Sequence, residues 1–436
     1  MRLTLVGDNA YDGSAPKAAP SRLINVYGET AGDKRILRGV PGFSAFADLP
    51  NTGLVAMSST RGVLYAVIAG GLYSISSGGA VTRLGSVPQS TETYLDSNNG
   101  AVTVVADGRY FVWDGQSLSE PATGAFAEFG DVAFFGQRTV LLERGGRRVQ
   151  WSGLAAPKEL GGTDFATTET RDDNNLRAIS AGGALYILKE RSTEVWSSDG
   201  QGPGVVPGST RDIGLLAAPL AVQIPDGLVW VSDAGRVVTS SFETISTPAV
   251  ERSILNDGPQ RLAYYSRAGA AFVCIIFAGR PAWCINLRTG EWHERAGGVQ
   301  GPWDVAGMAE LDGAYYVGRA NGRVDRVGGV KEGDDALVRG VVTRTLENSG
   351  QRLTVSEIRL DVPVGEFDGA SLMLRMSKDQ GRTWGQWRVR DLGGLGQHQR
   401  QVVFRRLGQY RTANAEIVWT TPHDLFLGAD AEVRVT

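Results

Sequence analysis

The sequence is poor in the residue types that build reactive or cross-linked sites. Its 436 residues include two cysteines and three histidines, and only six of its 44 basic residues are lysines, so the other 38 are arginines. Two cysteines cannot make a disulfide scaffold. No lysine stands in the Gly-Lys-Ser/Thr context of a P-loop, which excludes Walker-type NTP chemistry. No G-x-S-x-G occurs, so the nucleophile-elbow signature of hydrolases is also absent.

Long apolar runs and excess positive charge are also missing. No stretch approaches the roughly 18 apolar residues of a membrane helix, and the N-terminus MRLTLVGDNAYDGS turns polar after Val6, too early for a signal peptide. The net charge of -3 excludes a nucleic-acid binder driven by bulk charge. It is compatible with a protein past which DNA moves without sticking. We expect the chain to fold in a reducing cytosol, with Cys274 and Cys284 as buried free thiols about one register step from facing.

Glycine is abundant, at 58 of 436 residues, and it punctuates a repeat. Seven segments share an apolar run, a Gly-rich or polar turn and a second strand that is often aromatic. Their start-to-start spacings, read from the sequence, are 38, 36, 47, 44, 42 and 44. The seven segments begin at Gly62, Gly100, Gly136, Gly183, Gly227, Gly269 and Gly313.

A period near 40 built from hairpins indicates a β-propeller with four strands per blade. We predict seven blades, or six if one hairpin is a decoration, and little helix. Continuous β-formers such as Leu64–Ile68 suit central strands that are covered on both faces. Aromatic residues recur in the second strand of five copies, and we expect them to pack blade against blade. They are Tyr73, Trp113, Trp151, Trp196 and Trp283.

The two ends of the chain differ from the middle. Residues 1–55 are rich in proline, glycine and polar residues with one strand candidate, Leu23–Tyr27, and are interpreted as a partly extended arm that lends a strand to close the ring. Residues 56–332 form the predicted propeller. After a polar boundary at 327–336, seven stretches alternate apolar and polar residues, which predicts a C-terminal β-sandwich over 333–436. Since residues 1–20 have no apolar run to bury, we expect their deletion to impair attachment more than folding.

One short motif in the sandwich segment is specific. Residues 377–384, SKDQGRTW, fit S-x-D-x-G-x-T-W, the Asp-box of sialidase-like propellers. The aspartate caps backbone amides, the glycine permits the bend and the tryptophan anchors the hairpin, so the motif is a folding device. Its defining residues are Ser377, Asp379, Gly381, Thr383 and Trp384.

Other candidate sites have plainer interpretations. Residues 170–175, TRDDNN, could hold calcium but lack the spaced calcium-loop pattern, and a polar loop is favoured. His293, His398 and His423 have no metal-ligand partner at useful spacing and are predicted on the surface or in turns. No phosphate loop is predicted at residues 393–396, GGLG. Two arginine clusters are interpreted as assembly surface. They are Arg144, Arg147 and Arg148, and Arg405, Arg406 and Arg411.

The order of these features resembles a known family, the tail hub or nozzle proteins of short-tailed bacteriophages, also called packaged-DNA stabilisation proteins or tail accessory factors. The resemblance covers most of the chain and adds an N-terminal arm with candidate assembly residues Arg22, Asn25, Tyr27, Arg38 and Pro41. It is carried by Asn25–Glu29, Leu37–Phe43, Gly70–Tyr73, Ser192–Trp196, Ser377–Trp384, Arg405–Arg411 and Ala431–Val435.

The resemblance implies a structural virion protein without catalytic residues, cofactor or metal. It implies a ring, usually a hexamer, below the portal and adaptor rings. Such a ring continues the DNA channel, helps retain the packaged genome and docks a tail needle, spikes or fibres. DNA would pass without sequence-specific binding, and this chain would not insert into a membrane. The implied location is the virion tail, after assembly in the host cytoplasm.

Two alternatives stay open at the level of sequence. A sialidase-like, glycan-cleaving propeller would need a Tyr–Glu pair and an arginine cluster at the propeller axis, and Tyr65, Tyr265 and Glu251 cannot be placed there from sequence. A cellular propeller adaptor is disfavoured because the WD dipeptide and its histidine partner are missing. Converging carboxylates and arginines at the axis would favour the enzyme.

Overall fold

A computed structural model describes residues 2–6, 21–122, 124–298, 300–333, 335–348, 350–421 and 423–435. Contacts between Cα atoms divide the chain into two compact units. We call Ala45–Tyr265 with Asp304–Val327 the propeller unit, and Met1–Ser44, Ser266–Trp303 and Gly328–Thr436 the sandwich unit. The segment limits 1–55, 56–332 and 333–436, which were drawn from the sequence, remain a prediction.

Strands dominate both units, and the expectation of little helix is confirmed. The helical elements of the described residues are α1 (Pro248–Asp257) and one 3-10 turn, Ala218–Leu220. The N-terminal strands are β1 (Arg2–Thr4), β2 (Arg22–Ile24), β3 (Val26–Ala31), β4 (Lys34–Gly39) and β5 (Phe43–Asp48).

Four four-stranded antiparallel sheets and one three-stranded sheet follow, each with its strands in chain order. The first two are β6 (Leu54–Thr60), β7 (Val63–Ile68), β8 (Gly71–Ile75) and β9 (Val81–Ser86), then β10 (Thr93–Asn98), β11 (Ala101–Ala106), β12 (Arg109–Trp113) and β13 (Leu118–Ser119). The next two are β14 (Phe129–Phe135), β15 (Arg138–Glu143), β16 (Arg148–Gly153) and β17 (Ala156–Thr167), then β18 (Asn175–Ala181), β19 (Ala184–Lys189), β20 (Thr193–Ser198) and β21 (Pro203–Val205). The three-stranded sheet is β22 (Ala221–Ile224), β23 (Gly227–Val231) and β24 (Val237–Thr239).

The remaining strands follow α1. Along the chain, β25 runs from the propeller unit into the sandwich unit. The strands up to residue 336 are β25 (Pro259–Arg267), β26 (Ala270–Phe277), β27 (Ala282–Asn286), β28 (Glu291–Arg295), β29 (Gly307–Leu311), β30 (Ala314–Gly318), β31 (Arg323–Val327), β32 (Lys331–Glu332) and β33 (Asp335–Ala336). The C-terminal strands are β34 (Arg339–Val342), β35 (Leu346–Glu347), β36 (Leu353–Leu360), β37 (Ser371–Ser377), β38 (Arg388–Asp391), β39 (Val402–Tyr410), β40 (Thr412–Trp419), β41 (Phe426–Gly428) and β42 (Asp430–Val435).

Every hairpin of the seven-fold repeat is present in the structure. Each repeat glycine lies at the turn that leads from the first strand of a group to the second, and all seven have positive φ. At Asn99-Gly100 the two φ values are 50° and 83°, and at Asp312-Gly313 they are 51° and 74°. Positive φ at both central residues is the requirement of a type I′ hairpin turn, which only glycine and a few polar residues meet at low cost.

Within the propeller unit, successive sheets pack against one another. The first strands contact each other in order, with β6 against β10, β10 against β14, β14 against β18, β18 against β22, and β29 against β6. The expected blade-to-blade packing is confirmed for four of the five recurrent aromatics, since Tyr73, Trp113, Trp151 and Trp196 lie in clusters shared by two sheets. Trp283 is buried in the sandwich unit.

The N-terminal segment lends a strand, as expected. In the sheet order, β5 lies next to β31 after β29 and β30. The chain beyond β5 stays attached in the propeller unit, because the amides of Leu49 and Gly53 donate to the carbonyls of Gly322 and Ala320 at 2.9 and 2.7 Å. A strand from early in the chain therefore completes a sheet whose other strands come some 260 residues later.

The C-terminal prediction is also confirmed, since all seven alternating stretches contain strands. One sheet of the sandwich unit has the order β1-β42-β36-β39, and the other contains β28-β2-β34-β40-β37-β38. Apolar side chains from both sheets form one core, which includes Phe404, Ile417 and Trp419. A smaller sheet, β3-β4-β41, belongs to the same unit.

The N-terminal arm departs from its prediction in two ways. Its described residues contain the five strands β1 to β5 rather than one, and β1 pairs with β42 and β2 with β34, partners that lie far away in the sequence. Leu5 and Val6 are buried in the sandwich core, so the premise that this stretch has nothing apolar to bury is wrong. Residues 7–20 lie outside the described residues. The structure therefore predicts that deleting residues 1–20 lowers stability.

The cysteine prediction is wrong. Cys274 on β26 and Cys284 on β27 are direct cross-strand partners and form a disulfide with a Cα–Cα distance of 4.0 Å. The strands are joined through Ala278–Pro281, and this loop sets a register in which both side chains point to the same face. The two sulfur atoms therefore lie together rather than one step apart.

Candidate functional site

The propeller unit contains a cavity of about 430 Å³ on the side where its first strands meet. Residues of β6, β10, β14, β18, β22, β25 and β29 line it, one strand from each of seven consecutive groups. This strand count agrees with seven repeats rather than six. An enzyme of this architecture would gather its reactive groups at this cavity. The polar side chains of the cavity therefore distinguish the structural hypothesis from the glycan-cleaving alternative.

Asp96 lines this cavity and Asp131 is buried next to the lining residue Val132; both carboxylates are tied to backbone amides. Asp96 on β10 accepts a hydrogen bond of 2.7 Å from the amide of Phe134 on β14. Asp131 on β14 accepts one of 2.7 Å from the amide of Ala178 on β18. Each carboxylate therefore links its own strand to the first strand of the next sheet. This repetition indicates a structural role.

Two arginines at the wall are also engaged by the protein. The Nε atom of Arg177 lies 3.1 Å from Asp131 Oδ2, and its guanidinium stacks 4.3 Å from the ring centroid of Tyr94. Arg261 on β25 donates to the carbonyl of Ala306, the residue before β29, and, at 3.5 Å, to that of Val55 on β6. These arginines join neighbouring strands, so much of their hydrogen-bonding capacity is used inside the wall.

Burial controls the ionisation of this cluster. Asp131 is fully buried, and burial raises its pKa to about 6, against the opposing effect of the Arg177 charge. Burial likewise raises the pKa of Asp96 and of the Tyr94 hydroxyl. A glycosidase needs two carboxyl groups that reach the scissile bond from either side. Here both carboxylates accept hydrogen bonds from backbone amides of the next sheet. This arrangement favours a structural role over that of a catalytic pair.

The sequence analysis did not identify these cavity residues. Its repeat began at the glycine after each first strand, and the first strands are less uniformly apolar than the second. A stretch such as Thr93–Asn98, TYLDSN, has no strong strand pattern. The usable signal is positional, since each first strand ends within three residues of a repeat glycine.

The residues named for the sialidase alternative do not form a site there. Tyr65, Tyr265 and Glu251 are not among the residues that line the cavity. Glu251 lies on α1, where its side chain accepts a hydrogen bond of 2.8 Å from Ser246. Tyr65 lies on β7, in the cluster between the first two sheets. Nothing in the described parts of the chain supports the enzyme alternative.

The candidate metal positions have other partners. In the 170–175 loop, Arg171 pairs with Asp212 and Asp173 with Lys189. His293, expected on the surface or in a turn, is instead buried on β28 beside the ring of Phe272, and burial lowers its pKa to about 3. No group of three or more His, Cys, Asp or Glu side chains that could hold a metal ion occurs among the described residues. None of the helices described is long and apolar enough to cross a membrane.

The candidate assembly residues of the arm make contacts inside the sandwich unit. Arg22 forms a two-point ion pair with Glu294, at 2.7 and 2.6 Å. Tyr27 packs edge-on against Phe272 with ring centroids 5.0 Å apart, and burial raises its pKa to about 12. Arg38 pairs with Glu29 and Asp424 at 2.8 Å each, and Pro41 is half-buried in the turn before β5.

Asn25 is the most constrained of these arm residues. It is fully buried and has a φ of 55°, a conformation that asparagine tolerates better than most residues. Its side-chain oxygen accepts from Arg295 Nη1 and the Ala296 amide at 3.1 and 2.9 Å, and its amide donates to the Val338 carbonyl at 2.9 Å. Asn25 therefore joins three separate stretches of the sandwich unit.

The S-x-D-x-G-x-T-W motif forms the turn between β37 and β38. Asp379 accepts from the Thr383 amide at 2.7 Å and from the Thr383 hydroxyl. The Ser377 hydroxyl accepts a hydrogen bond of 2.8 Å from the Gly381 amide, and Gly381 has a φ of 83°. Trp384 stacks on the guanidinium of Arg375 at 5.1 Å. The hydrogen bonds lower the pKa of Asp379 to about 2.

The two arginine clusters differ in their surroundings. In the propeller unit, Arg144 pairs with Glu92 at 2.7 Å and Arg147 with Asp172 at 2.8 Å, so both join neighbouring sheets. In the sandwich unit, Arg405, Arg406 and Arg411 are exposed, and Arg405 pairs with Glu357 at 3.1 Å. The second cluster presents the more open basic surface.

Comparison with known proteins identifies both parts of the chain. The profile of bacteriophage P22 Gp10, beta-propeller, matches residues 8–254, and that of bacteriophage P22 Gp10, beta-sandwich, matches residues 339–415. No curated protein matches the sequence. Among solved structures, the computationally designed Ika8 protein is 14% identical with a TM-score of 0.41, covering 65% of this chain and 99% of that chain. The mitotic checkpoint complex includes a chain that is 12% identical with a TM-score of 0.44, covering 64% and 93%.

Neither solved structure is similar enough to bear on function. The two family profiles follow in the order expected from the sequence, propeller and then sandwich, and the first alone covers more than half of the chain. They confirm the resemblance to tail hub or nozzle proteins. This chain belongs to the bacteriophage P22 Gp10 family and is a structural protein of the phage tail.

Proposed function

We propose that this tail protein forms the nozzle or hub ring that continues the DNA channel below the portal and adaptor rings. The observation that carries the proposal is the pair of consecutive P22 Gp10 profiles, propeller and sandwich, on one chain. In this role the protein retains the packaged genome, docks a tail needle, spikes or fibres, and assembles as a hexamer. Assembly begins in the host cytoplasm and ends in the virion.

The chemistry of the propeller cavity supports a structural role. Asp96, Asp131, Arg177 and Arg261 are all engaged with neighbouring strands. A wall of this kind holds its strands in place and has little capacity left for a substrate. The protein therefore acts as a building block without catalysis, cofactor or metal.

The near-neutral charge supports passage of DNA rather than its capture. The chain carries a net charge of -3, and many of its arginines form ion pairs within the chain, such as Arg22 with Glu294 and Arg144 with Glu92. Each phosphate that a protein neutralises adds affinity and salt dependence. A channel component whose cations are partly neutralised by its own carboxylates holds DNA less tightly and lets it move during ejection.

The test is assembly on the connector of the same phage. We expect the purified chain to be a monomer or a weak ring former alone, and to form complete rings on portal–adaptor complexes in negative-stain images and mass photometry. A chain that stays monomeric with its connector present contradicts the proposal. So does a chain that hydrolyses a fluorogenic sialoside at an enzymatic rate.

A surface variant sharpens this test. Arg406→Glu with Arg411→Glu reverses charge in the exposed cluster of the sandwich unit, and we expect it to weaken ring formation without changing the monomer's circular dichroism. Arg288→Glu, an exposed arginine of the same unit outside the cluster, is the matched control and should assemble normally. If both variants assemble equally well, the exposed arginine cluster is not part of the ring interface.

A further inference from the structure

A lysine and two carboxylates meet in the interior of the propeller unit. The side chains of Lys189, Asp173 and Glu194 expose 0%, 3% and 1% of their surface. The Nζ atom of Lys189 lies 3.0 Å from Asp173 Oδ1 and 3.6 Å from Glu194 Oε1. A buried ion pair contributes little net stability, because desolvation offsets its Coulomb energy. The third charged group therefore needs an explanation.

The register of the sheet brings these side chains together. Lys189 at the end of β19 is paired with Asn175 on β18, and Asp173 lies two residues before Asn175, in the loop that leads into β18. Ile187 on β19 is paired with Glu194 on β20, so Glu194 is the diagonal neighbour of Lys189 on that face. Two adjacent strands and the loop before β18 thus bring the Lys189 amine, the Asp173 carboxyl group and the Glu194 carboxyl group to one point.

The hydrogen bonds orient each group. Lys189 Nζ also donates to the Arg171 carbonyl at 2.8 Å, and Asp173 accepts from the Arg191 amide at 2.8 Å and from the Ser192 hydroxyl. Glu194 Oε2 accepts from Trp196 Nε1 at 3.0 Å. Its other oxygen, Oε1, is buried, has no hydrogen-bond partner among the described residues, and is the one that faces Lys189.

We propose that Lys189 and Asp173 condense to form an intramolecular isopeptide bond, with Glu194 as the proton shuttle. A buried amine nitrogen 3.0 Å from a carboxylate oxygen has the proximity that makes an intramolecular reaction fast relative to its bimolecular counterpart. Water is largely excluded from this point, since the three side chains expose 3% of their surface or less, and its exclusion limits hydrolysis of the amide once it has formed. The proposal does not depend on the role of the protein in the tail.

The reaction balances without a co-reactant. A proton passes from the Lys189 ammonium to the Asp173 carboxylate, which gives the neutral amine and the carboxylic acid. The amine nitrogen attacks Asp173 Cγ, and Glu194 takes the second proton from nitrogen and delivers it to the departing hydroxyl group. One C–N bond forms, one C–O bond breaks, and one water leaves. Nothing is oxidised or reduced.

The resting state is the ion pair. Hydrogen bonds from the Arg191 amide, Lys189 and Ser192 lower the pKa of Asp173 against the effect of its burial, so the neutral pair is the minor form. The condensation should therefore proceed once per molecule and slowly after folding. The product ties the 170–175 loop covalently to β19, and the strand order of this sheet is then fixed by a bond.

Intact mass spectrometry of the purified full chain tests the proposal. The sample is reduced first, so that the Cys274–Cys284 pair does not change the mass. We expect wild type to be lighter than its sequence mass by one water, and peptide mapping to find a branched peptide that joins Asp173 to Lys189. Glu194→Gln should keep the full sequence mass while its circular dichroism matches wild type.

An exposed Lys–Asp pair provides the control. Lys158 Nζ lies 2.6 Å from Asp114 Oδ2 in the same unit, with both side chains more than a third exposed. Mapping should find this pair unlinked, and Lys158→Ala should still show the loss of one water. Wild type at its full sequence mass after prolonged incubation of the folded protein overturns the proposal. A folded Glu194→Gln variant that condenses as completely as wild type overturns the role of Glu194.

Discussion

The burial of Leu5 gives a direct test of how the N-terminus is used. Leu5 follows β1, exposes 1% of its surface and belongs to the core of the sandwich unit. Its amide donates to the Ala429 carbonyl at 2.8 Å, and its own carbonyl accepts from the Arg344 amide at 2.9 Å. The backbone of Leu5 is therefore held on both sides by hydrogen bonds to distant segments of the sandwich unit, which fixes the position of its side chain.

Replacing Leu5 by Ala removes three buried carbon atoms. Leu→Ala changes in protein cores cost about 2–5 kcal/mol, the sum of lost transfer free energy and a cavity term. Because hydrogen bonds fix the strand on both sides, the cavity should persist, and we expect a loss of about 3 kcal/mol or more. A flexible arm resting on the surface would lose almost nothing.

Urea unfolding followed by tryptophan fluorescence measures the loss as a shift of the midpoint. Leu395→Ala is the matched control, because Leu395 belongs to the same unit and is 67% exposed. Its midpoint should move by the equivalent of about 0.5 kcal/mol or less. If the Leu5 and Leu395 variants unfold at the same urea concentration, the N-terminus does not contribute to the core and the reasoning fails.

Four further predictions concern polar groups. Asn25→Ala should lower the free energy of unfolding by about 2 kcal/mol or more, since it leaves buried partners unpaired; a melting temperature equal to wild type would contradict this. Burial raises the pKa of Asp131 from 3.8 to about 6, so the native state binds its proton more tightly than the unfolded chain does. Wild type should therefore lose stability relative to Asp131→Asn as pH rises from about 4 to about 6, and a constant difference would refute it. Burial lowers the pKa of His293 from 6.5 to about 3, so wild type should lose stability relative to His293→Phe as pH falls from about 6.5 to about 3. Parallel stability profiles of the two proteins over this range would contradict the burial of a neutral imidazole. Hydrogen bonds lower the pKa of Asp379 to about 2, so its carboxylate should add to the free energy of unfolding above about pH 4 and lose this effect as pH falls to about 2. Asp379→Ala should lack this pH-dependent contribution, and acid titration of the stability of both proteins checks it.

Local features of the fold could be predicted from the sequence. The hairpin of Ala101–Ala106 and Arg109–Trp113 is determined by neighbouring residues, because the Asp107-Gly108 pair between two apolar runs specifies the turn within a few positions. The S-x-D-x-G-x-T-W hairpin is local for the same reason. The alternating stretches of the sandwich also carry their own pattern, since one face of each strand is buried.

Pairings between distant segments could not be predicted. Nothing in Arg2–Thr4 indicates that its partner is Asp430–Val435, and the pairing of Arg22–Ile24 with Arg339–Val342 is equally remote. The cavity residues were missed because strands such as Thr93–Asn98 are polar along much of their length. Their side chains become informative only when seven such strands stand next to one another.

The internal use of the N-terminal segment changes how assembly should be tested. Arg22, Asn25, Tyr27 and Arg38 are committed to partners inside the sandwich unit, so truncating the arm would remove folding energy together with any contact to a neighbouring protein. A loss of connector binding after truncation would then have two causes. Charge reversal at exposed arginines leaves the core intact, so a loss of connector binding in such a variant reports on the contact alone. The side chains of the sandwich surface are therefore the informative place to look for contacts within the ring.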